Sequence, residues 1–113
     1  MLKIEITIQP ESLQTVTEAL GRAKLGSFRV SEVTTFDPAA PPNGSYRGAN
    51  YRVGRERMTL ELIVQDHALE ATIEAIRDAI DAFGEGDAEL LVLHLEDSMR
   101  LSPSPWTRTR AIR

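Results

Sequence analysis

The sequence predicts an α+β domain of six elements in the order βαββαβ, and three observations carry that reading. First, two stretches keep a period of two, which places one side of a strand in a core: Leu2, Ile4, Ile6 and Ile8 alternate with Lys3, Glu5, Thr7 and Gln9, and Met58, Leu60, Leu62 and Val64 alternate with Thr59, Glu61 and Ile63. Second, Leu13, Val16, Leu20 and Ala23, and then Leu69, Ile73, Ile76, Ile80 and Phe83, recur at steps of three and four, the stripe of an amphipathic helix. Third, the second and third strands are joined by roughly 20 residues where a tight turn would suffice, and loops of that length in a compact domain are usually functional or disordered.

Taken in order, Pro10 closes the first strand and suits the opening turn of a helix whose polar side carries Gln14, Glu18 and Arg22. Gly26 marks the helix exit. Phe28, Val30 and Val33, with Thr34, Thr35 and Phe36, form the second β-rich run. The long connection follows, from Asp37-Pro38-Ala39-Ala40-Pro41-Pro42-Asn43-Gly44-Ser45 into Tyr46-Arg47-Gly48-Ala49-Asn50-Tyr51. Its prolines, with Gly44, Gly48 and Gly54, exclude a regular helix or a central strand, so it reads as a mobile effector loop presented by the rest of the chain. Asp66 is expected to N-cap the second helix, and Gly84-Glu85-Gly86-Asp87 to end it. Residues 90–95 form a last, nearly continuous apolar strand interrupted by His94, expected as a core or interface histidine, whereas His67 is expected at the surface. The segment 102–113, with Pro103, Pro105 and Trp106, reads as an extended or loosely docked tail behind a domain of residues 1–101.

This order is the ferredoxin-like split βαβ arrangement, with two helices on one face of a four-stranded antiparallel sheet. The other face would show Ile63, Leu91 and Leu93 to water, which points to burial against a second copy and hence a homo-oligomer.

Composition narrows the function classes. The chain of 113 residues is 42% hydrophobic and 27% charged, which suits one soluble core. No apolar run approaches the roughly 20 residues that cross a bilayer, so membrane insertion is not expected. Nor does a basic segment followed by an apolar one open the chain, and a cytoplasmic location is expected. With no cysteine there is no disulfide frame or thiolate site, and no histidine pair has metal-ligand spacing. The net charge of -4 hides two cationic groups, Arg47, Arg52, Arg55 and Arg57 in and after the loop, and Arg100, Arg108, Arg110 and Arg113 beyond the last acidic residue, Asp97. Such groups read either as local anion sites or as solvated loop and tail charges, and not as the broad basic face of a nucleic-acid binder. No nucleophile–base pair, metal constellation or phosphate-binding P-loop is present, so catalysis is not expected. An enzyme of acylphosphatase type would want a basic phosphate loop after the first strand, and Ile8-Gln9-Pro10-Glu11 does not supply one.

The run Tyr46-Arg47-Gly48-Ala49-Asn50-Tyr51 resembles the Tyr-Arg-Gly-Ala/Ser-Glu-Tyr motif of the PII signalling proteins, and Val30-Ser31-Glu32-Val33 and Leu60-Glu61-Leu62-Ile63-Val64 are similar to the strands flanking that family's T-loop. The resemblance extends from Met1 to about Arg100. It implies a homotrimer that binds adenine nucleotides between subunits and grips a protein target with the T-loop, here about residues 37–57; the B-loop would be about residues 83–89. Carried over, it implies nucleotide contacts from Arg29, Arg57, Glu61, Val64, Gly84, Gly86, Asp87, Ala88 and Arg100. A second anion would be held among Arg29, Thr35, Phe36 and Arg57, and a partner by Tyr46, Arg47, Tyr51 and Arg52. Tyr51 stands where some members are uridylylated.

Departures from the family pattern shape the expected ligand. Asp37, Pro38 and Ala39 replace the Gly-Arg-Gln of members that sense 2-oxoglutarate, so neither that acid nor magnesium is expected. Gly86-Asp87-Ala88-Glu89 replaces Gly-Asp-Gly-Lys and sets a carboxylate where a lysine holds phosphates, which disfavours a polyphosphate at short range. Arg100-Leu101-Ser102 keeps one of two terminal arginines, Arg57 stands for the loop-end lysine, and Arg29 for a threonine that contacts adenine. ADP or AMP is therefore expected over ATP. The pattern is similar to the PII-like branch associated with carboxysome and bicarbonate-uptake genes, which implies bicarbonate as second ligand and an inorganic-carbon or other transporter as target. Two alternatives stay open: a nitrogen-regulatory PII protein answering ATP and ADP, and a trimeric metal-tolerance or structural protein of the same fold that binds no nucleotide.

Overall fold

The computed structural model describes residues 1–39, 41–51, 53–84, 88–101 and 107–110, with Tyr51 and residues 107–110 as backbone alone. Strand β1 (Leu2–Ile8) leads through a 3-10 turn (Pro10–Ser12) into helix α1 (Leu13–Arg22) and strand β2 (Phe28–Thr35). Two short strands follow, β3 (Gly44–Tyr46) and β4 (Ala49–Tyr51), then the long strand β5 (Arg55–Val64). A second 3-10 turn (Asp66–Ala68) opens helix α2 (Leu69–Phe83), and β6 (Glu89–His94), β7 (Asp97–Arg100) and β8 (Thr107–Arg110) complete the order. The main sheet runs β2-β5-β1-β6 with every neighbouring pair antiparallel, which is the ferredoxin-like order that the six predicted elements require. Two hairpins, β3/β4 and β7/β8, are added to it.

The core follows from the period of β1. Ile4 stands between Leu62 and Val92 in register, and Ile6 between Leu60 and Leu90. Leu2, Ile4, Ile6 and Ile8 are all buried, as are Leu60, Leu62 and Val64 of β5. Helix α1 adds Val16, Ala19 and Leu20, and α2 adds Ile76 and Ala79. Thr72 is buried there too, its hydroxyl donating to the Ala68 carbonyl at 2.7 Å, so a polar group enters the core already satisfied. The opposite face is uncovered, and Ile63, Leu91 and Leu93 are 49%, 48% and 42% exposed, as the sequence pattern predicts for that face.

Several local expectations are corrected. Asp66 does not cap α2: it sits in the 3-10 turn, where its carboxylate accepts a hydrogen bond from the Met1 ammonium, and the N-cap position falls to Ala68 with no side-chain bond. That contact holds the Asp66 carboxyl below its ordinary range. Helix α1 ends before Gly26; Ala23 is its C-cap, and the exit is shared between Lys24 at φ 55° and Gly26 at φ 85°. Ala23 is exposed, and Ala19 takes the buried place. His94 is exposed on the edge strand rather than part of this chain's core. Gly84 does end α2, in the left-handed conformation at φ 83°, with its N–H donating to the Ile80 carbonyl at 3.0 Å. The connection after β2 is shorter than its sequence suggests, because β5 begins at Arg55, three residues before Met58. In the tail, Thr107–Arg110 pairs with Asp97–Arg100, while Trp106 lies outside the described residues.

Replacing the central Ile6 by alanine removes buried atoms at a site flanked by two strands. Chemical denaturation should show a loss of about 2–5 kcal/mol.

Candidate functional site

An open cleft of about 410 Å³ lies where the α1–β2 connection passes the ends of β1, β2 and β5. Its apolar walls are Leu25, Phe28, Leu62 and Leu95, and its charged groups are Lys3, Arg29 and Glu61. Strand pairing explains this arrangement. Arg29 is the Cα partner of Glu61 across β2 and β5, and Glu61 is the partner of Glu5 across β5 and β1. Two carboxylates directly opposite one another repel. Lys3 resolves the conflict, with Nζ 2.9 Å from Glu5 Oε1 and 3.5 Å from Glu61 Oε2. The Glu5 hydrogen bond, helped by the charge of both carboxylates, raises the Lys3 pKa above its ordinary 10.5. The cleft thus joins apolar walls to paired donors and acceptors, which suits a flat ligand with a polar edge. A neighbouring depression of about 360 Å³ shares Leu25, Gly26 and Ile63 with it and includes Val64, Gln65 and His67.

The residues implied for nucleotide binding fall into separate groups. Arg29 and Glu61 meet in the cleft, and Val64 lies beside it, almost wholly buried. Arg57 is four positions before Glu61 on β5, about 13 Å along the strand, and is 8% exposed opposite Val33. Thr35 and Phe36 are near that end too; the Thr35 hydroxyl is 3.5 Å from the Arg55 carbonyl, and Phe36 is 61% exposed. Ala88 belongs to the other edge of the sheet, beside β6, in a groove with Ile73, Ile80, Leu90 and Arg77. Gly84 caps α2, and Arg100 ends β7. Gly86 and Asp87, like Arg52 of the partner group, lie outside the described residues. One chain therefore does not gather the implied set: β2 and β6 are opposite edges of a four-stranded sheet, about 14 Å apart. Lys3 is the cleft residue that sequence reasoning missed. Its position on the polar side of β1 was legible, but its two carboxylate partners depend on strand register.

Beyond the sheet, β2 and β5 continue as a two-stranded ribbon through Val33↔Arg57, Thr34↔Glu56 and Thr35↔Arg55. The chain turns at Asp37, whose Oδ1 accepts from Ala39 N–H at 2.9 Å. Asn43 then bonds both main-chain groups of Val53 on the returning segment: Nδ2 donates to the Val53 carbonyl at 3.0 Å, and Oδ1 accepts the Val53 N–H at 2.5 Å. Outside this clasp, Gly44↔Tyr51, Ser45↔Asn50 and Tyr46↔Ala49 form a hairpin. Its two turn residues, Arg47 at φ 51° and Gly48 at φ 79°, both have the positive φ of the mirror-image turn that matches strand twist. Tyr46 is 64% exposed, and the Arg47 guanidinium lies 5.2 Å from its ring centroid. Tyr51 is placed opposite Gly44. Asn43 and Gly54 were not anticipated as functional positions. The two residues separating Tyr46 from Ala49, with glycine second, were the sequence signal for the hairpin turn.

An arginine at positive φ is strained, and asparagine tolerates that conformation better. Arg47→Asn should stabilise the hairpin by about 0.5–1 kcal/mol, read as slower amide exchange in β3 and β4. Lys3 gives a second expectation. Since its folded pKa is raised, its contribution to stability is complete below pH 10.5 and is lost as pH rises through the folded value. Lys3→Gln should therefore show a smaller alkaline loss of stability than the wild type in denaturant titrations above pH 10.

No protein-family model matches the chain. Among curated proteins, it is 36% identical over 102 residues to the nitrogen regulatory protein P-II of Mesorhizobium japonicum, covering 89% of this chain and 91% of that one. It is 34% identical to the protein of that name from Rhodospirillum rubrum and 32% identical to that from Haemophilus influenzae, each over the same shares of the two chains.

Proposed function

Since the chain belongs to the P-II family of nitrogen regulatory proteins, and is a regulatory protein of that type, we propose that it senses an adenine nucleotide at a seam between copies of itself. In this reading three chains assemble through the uncovered sheet face that carries Ile63, Leu91 and Leu93. The observation that carries it is the division of the implied contacts between two edges of one sheet. Arg29 and Glu61 stand toward β2, and Ala88 stands beside β6. A second copy that brings its β6 edge to the first copy's cleft completes the set.

The apolar walls of the cleft take the base, and the charged row offers its polar edge. Glu89 opens β6 as an exposed carboxylate at the approach to this seam and disfavours a third phosphate, so ADP or AMP binds more tightly than ATP. Bicarbonate is the second ligand of this reading, held near Arg29 or near Arg57 with Thr35 and Phe36. Arg29 and Arg57 are too far apart along the ribbon for both backbones to approach one small anion. The arm from Asp37 to Arg57 carries the signal to a protein target, a transporter for inorganic carbon or another anion, through Tyr46, Arg47, Tyr51 and Arg52. Nucleotide acts on the arm through differential contacts with its conformations. The protein works in the cytoplasm, and among the described residues no helix is long and apolar enough to cross a membrane. A second reading, a nitrogen-regulatory sensor of ATP and ADP, is favoured by the name that the similar proteins carry.

Light scattering should give three chains per particle, and calorimetric titration should rank ADP or AMP above ATP. A monomer that ignores all three nucleotides overturns the proposal, and tightest binding of ATP selects the second reading. Glu89→Lys should shift the preference toward ATP by about three- to tenfold.

A further inference from the structure

We infer that Asn43 and Gly54 are positioning residues that hold the arm as a folded hairpin before any partner or nucleotide arrives. The inference rests on the reading of the arm as a docking element, but concerns its conformation in the free protein. Four features on both sides of the arm agree. The main ribbon runs out to Thr35↔Arg55. The Asn43 side chain then makes both the donor and the acceptor contact that a paired backbone residue would make, and both go to Val53. A single side chain thereby bridges the gap where Pro41 and Pro42 have no N–H to offer. The tip closes with a two-residue turn whose hand suits a hairpin.

Gly54 makes the fourth feature. A Cβ built there would collide with Thr34 Cγ2 and with the edge of the Phe36 ring at 2.6 and 2.8 Å. The ribbon and the Phe36 ring therefore close on position 54 only because no side chain is there. Phe36 remains largely exposed, so its contact with Gly54 is not a by-product of core packing. Asn43, bonded to Val53, and Gly54, against Thr34 and Phe36, thus act at two adjacent positions and fix where the hairpin stands on the ribbon. By sequence, residues 38–55 include Arg47, Arg52 and Arg55 and no acidic residue, on a chain of net charge -4. What they position is a cationic, aromatic tip.

Limited trypsin digestion of the nucleotide-free protein tests this, because a protease must open a tight turn to cut after Arg47. Cleavage there should be at least about tenfold slower than in a synthetic peptide of residues 37–57, and Asn43→Ala should remove most of that protection. Asn43→Asp, which keeps the acceptor and loses the donor, should fall between them, and Gly54→Ala should also expose the bond. The melting temperature of Asn43→Ala should stay that of the wild type, since the side chain is exposed and remote from the core; this separates loss of position from loss of fold. Cleavage of the wild-type arm at the peptide's rate, or no faster cleavage of Asn43→Ala, overturns the inference. A protein that binds no nucleotide but shows the protected arm would sink the nucleotide proposal and leave this one standing.

Discussion

The register of β1 is the constraint on which both the core and the cleft depend. Side chains alternate along a strand, so a slip of one residue against β5 or β6 would carry Ile4 and Ile6 to the uncovered face and bring Lys3, Glu5 and Thr7 beneath the helices. Burying unpaired charge there is far costlier than leaving isoleucine in water. The pairing that seats Ile4 against Leu62 also sets Glu5 against Glu61, and so creates the repulsion that Lys3 relieves. The Thr7 and Thr59 hydroxyls, 3.1 Å apart on the same face, continue that polar row. Hydrophobic burial on one side of the sheet thus decides the electrostatics of the other.

The arm obeys a different physics. It has little apolar burial to hold it, and its contacts are exposed hydrogen bonds, each of small net worth in water. What these contacts lack in energy they recover in geometry: a ribbon already twisted by the sheet, a turn of matching hand, and a glycine where two segments of the chain approach closely. A sheet edge extended in this way places a side chain about 3.3 Å farther from the body with each residue. Tyr46 and Arg47 are the farthest reach of that extension, and the strain accepted at Arg47 fits a residue kept for what it meets rather than for stability.

The elements of the main fold were legible because each has a clear period. Isoleucines at every second position mean a strand in almost any context, and the stripe from Leu69 to Phe83 means a helix. Boundaries and caps were less so. Asp66 has the residue type of an N-cap, but its carboxylate is taken by a group 65 positions away in sequence, which no local rule could reveal. His94 falls within an apolar run and yet is exposed, at the end of β6, an edge strand of the sheet. The hairpin within the long connection was hidden by prolines and glycines that usually interrupt strands. Arg29 and Glu61 came from resemblance to a family rather than from pattern, and their juxtaposition, like the place of Lys3, follows from pairing between distant segments. Non-local register is the information that a single sequence carries least openly.

The charged row of the cleft has a kinetic side. Lys3 and Arg29 balance Glu5 and Glu61, so the site as a whole is close to neutral and projects little field into solvent. If the cleft takes a phosphate-bearing ligand as proposed, that ligand is not drawn in from a distance, as it would be toward a cluster of lysines. Its rate of capture would then depend weakly on ionic strength, with discrimination arising after contact, when an incoming group must displace Lys3 from its carboxylate partners.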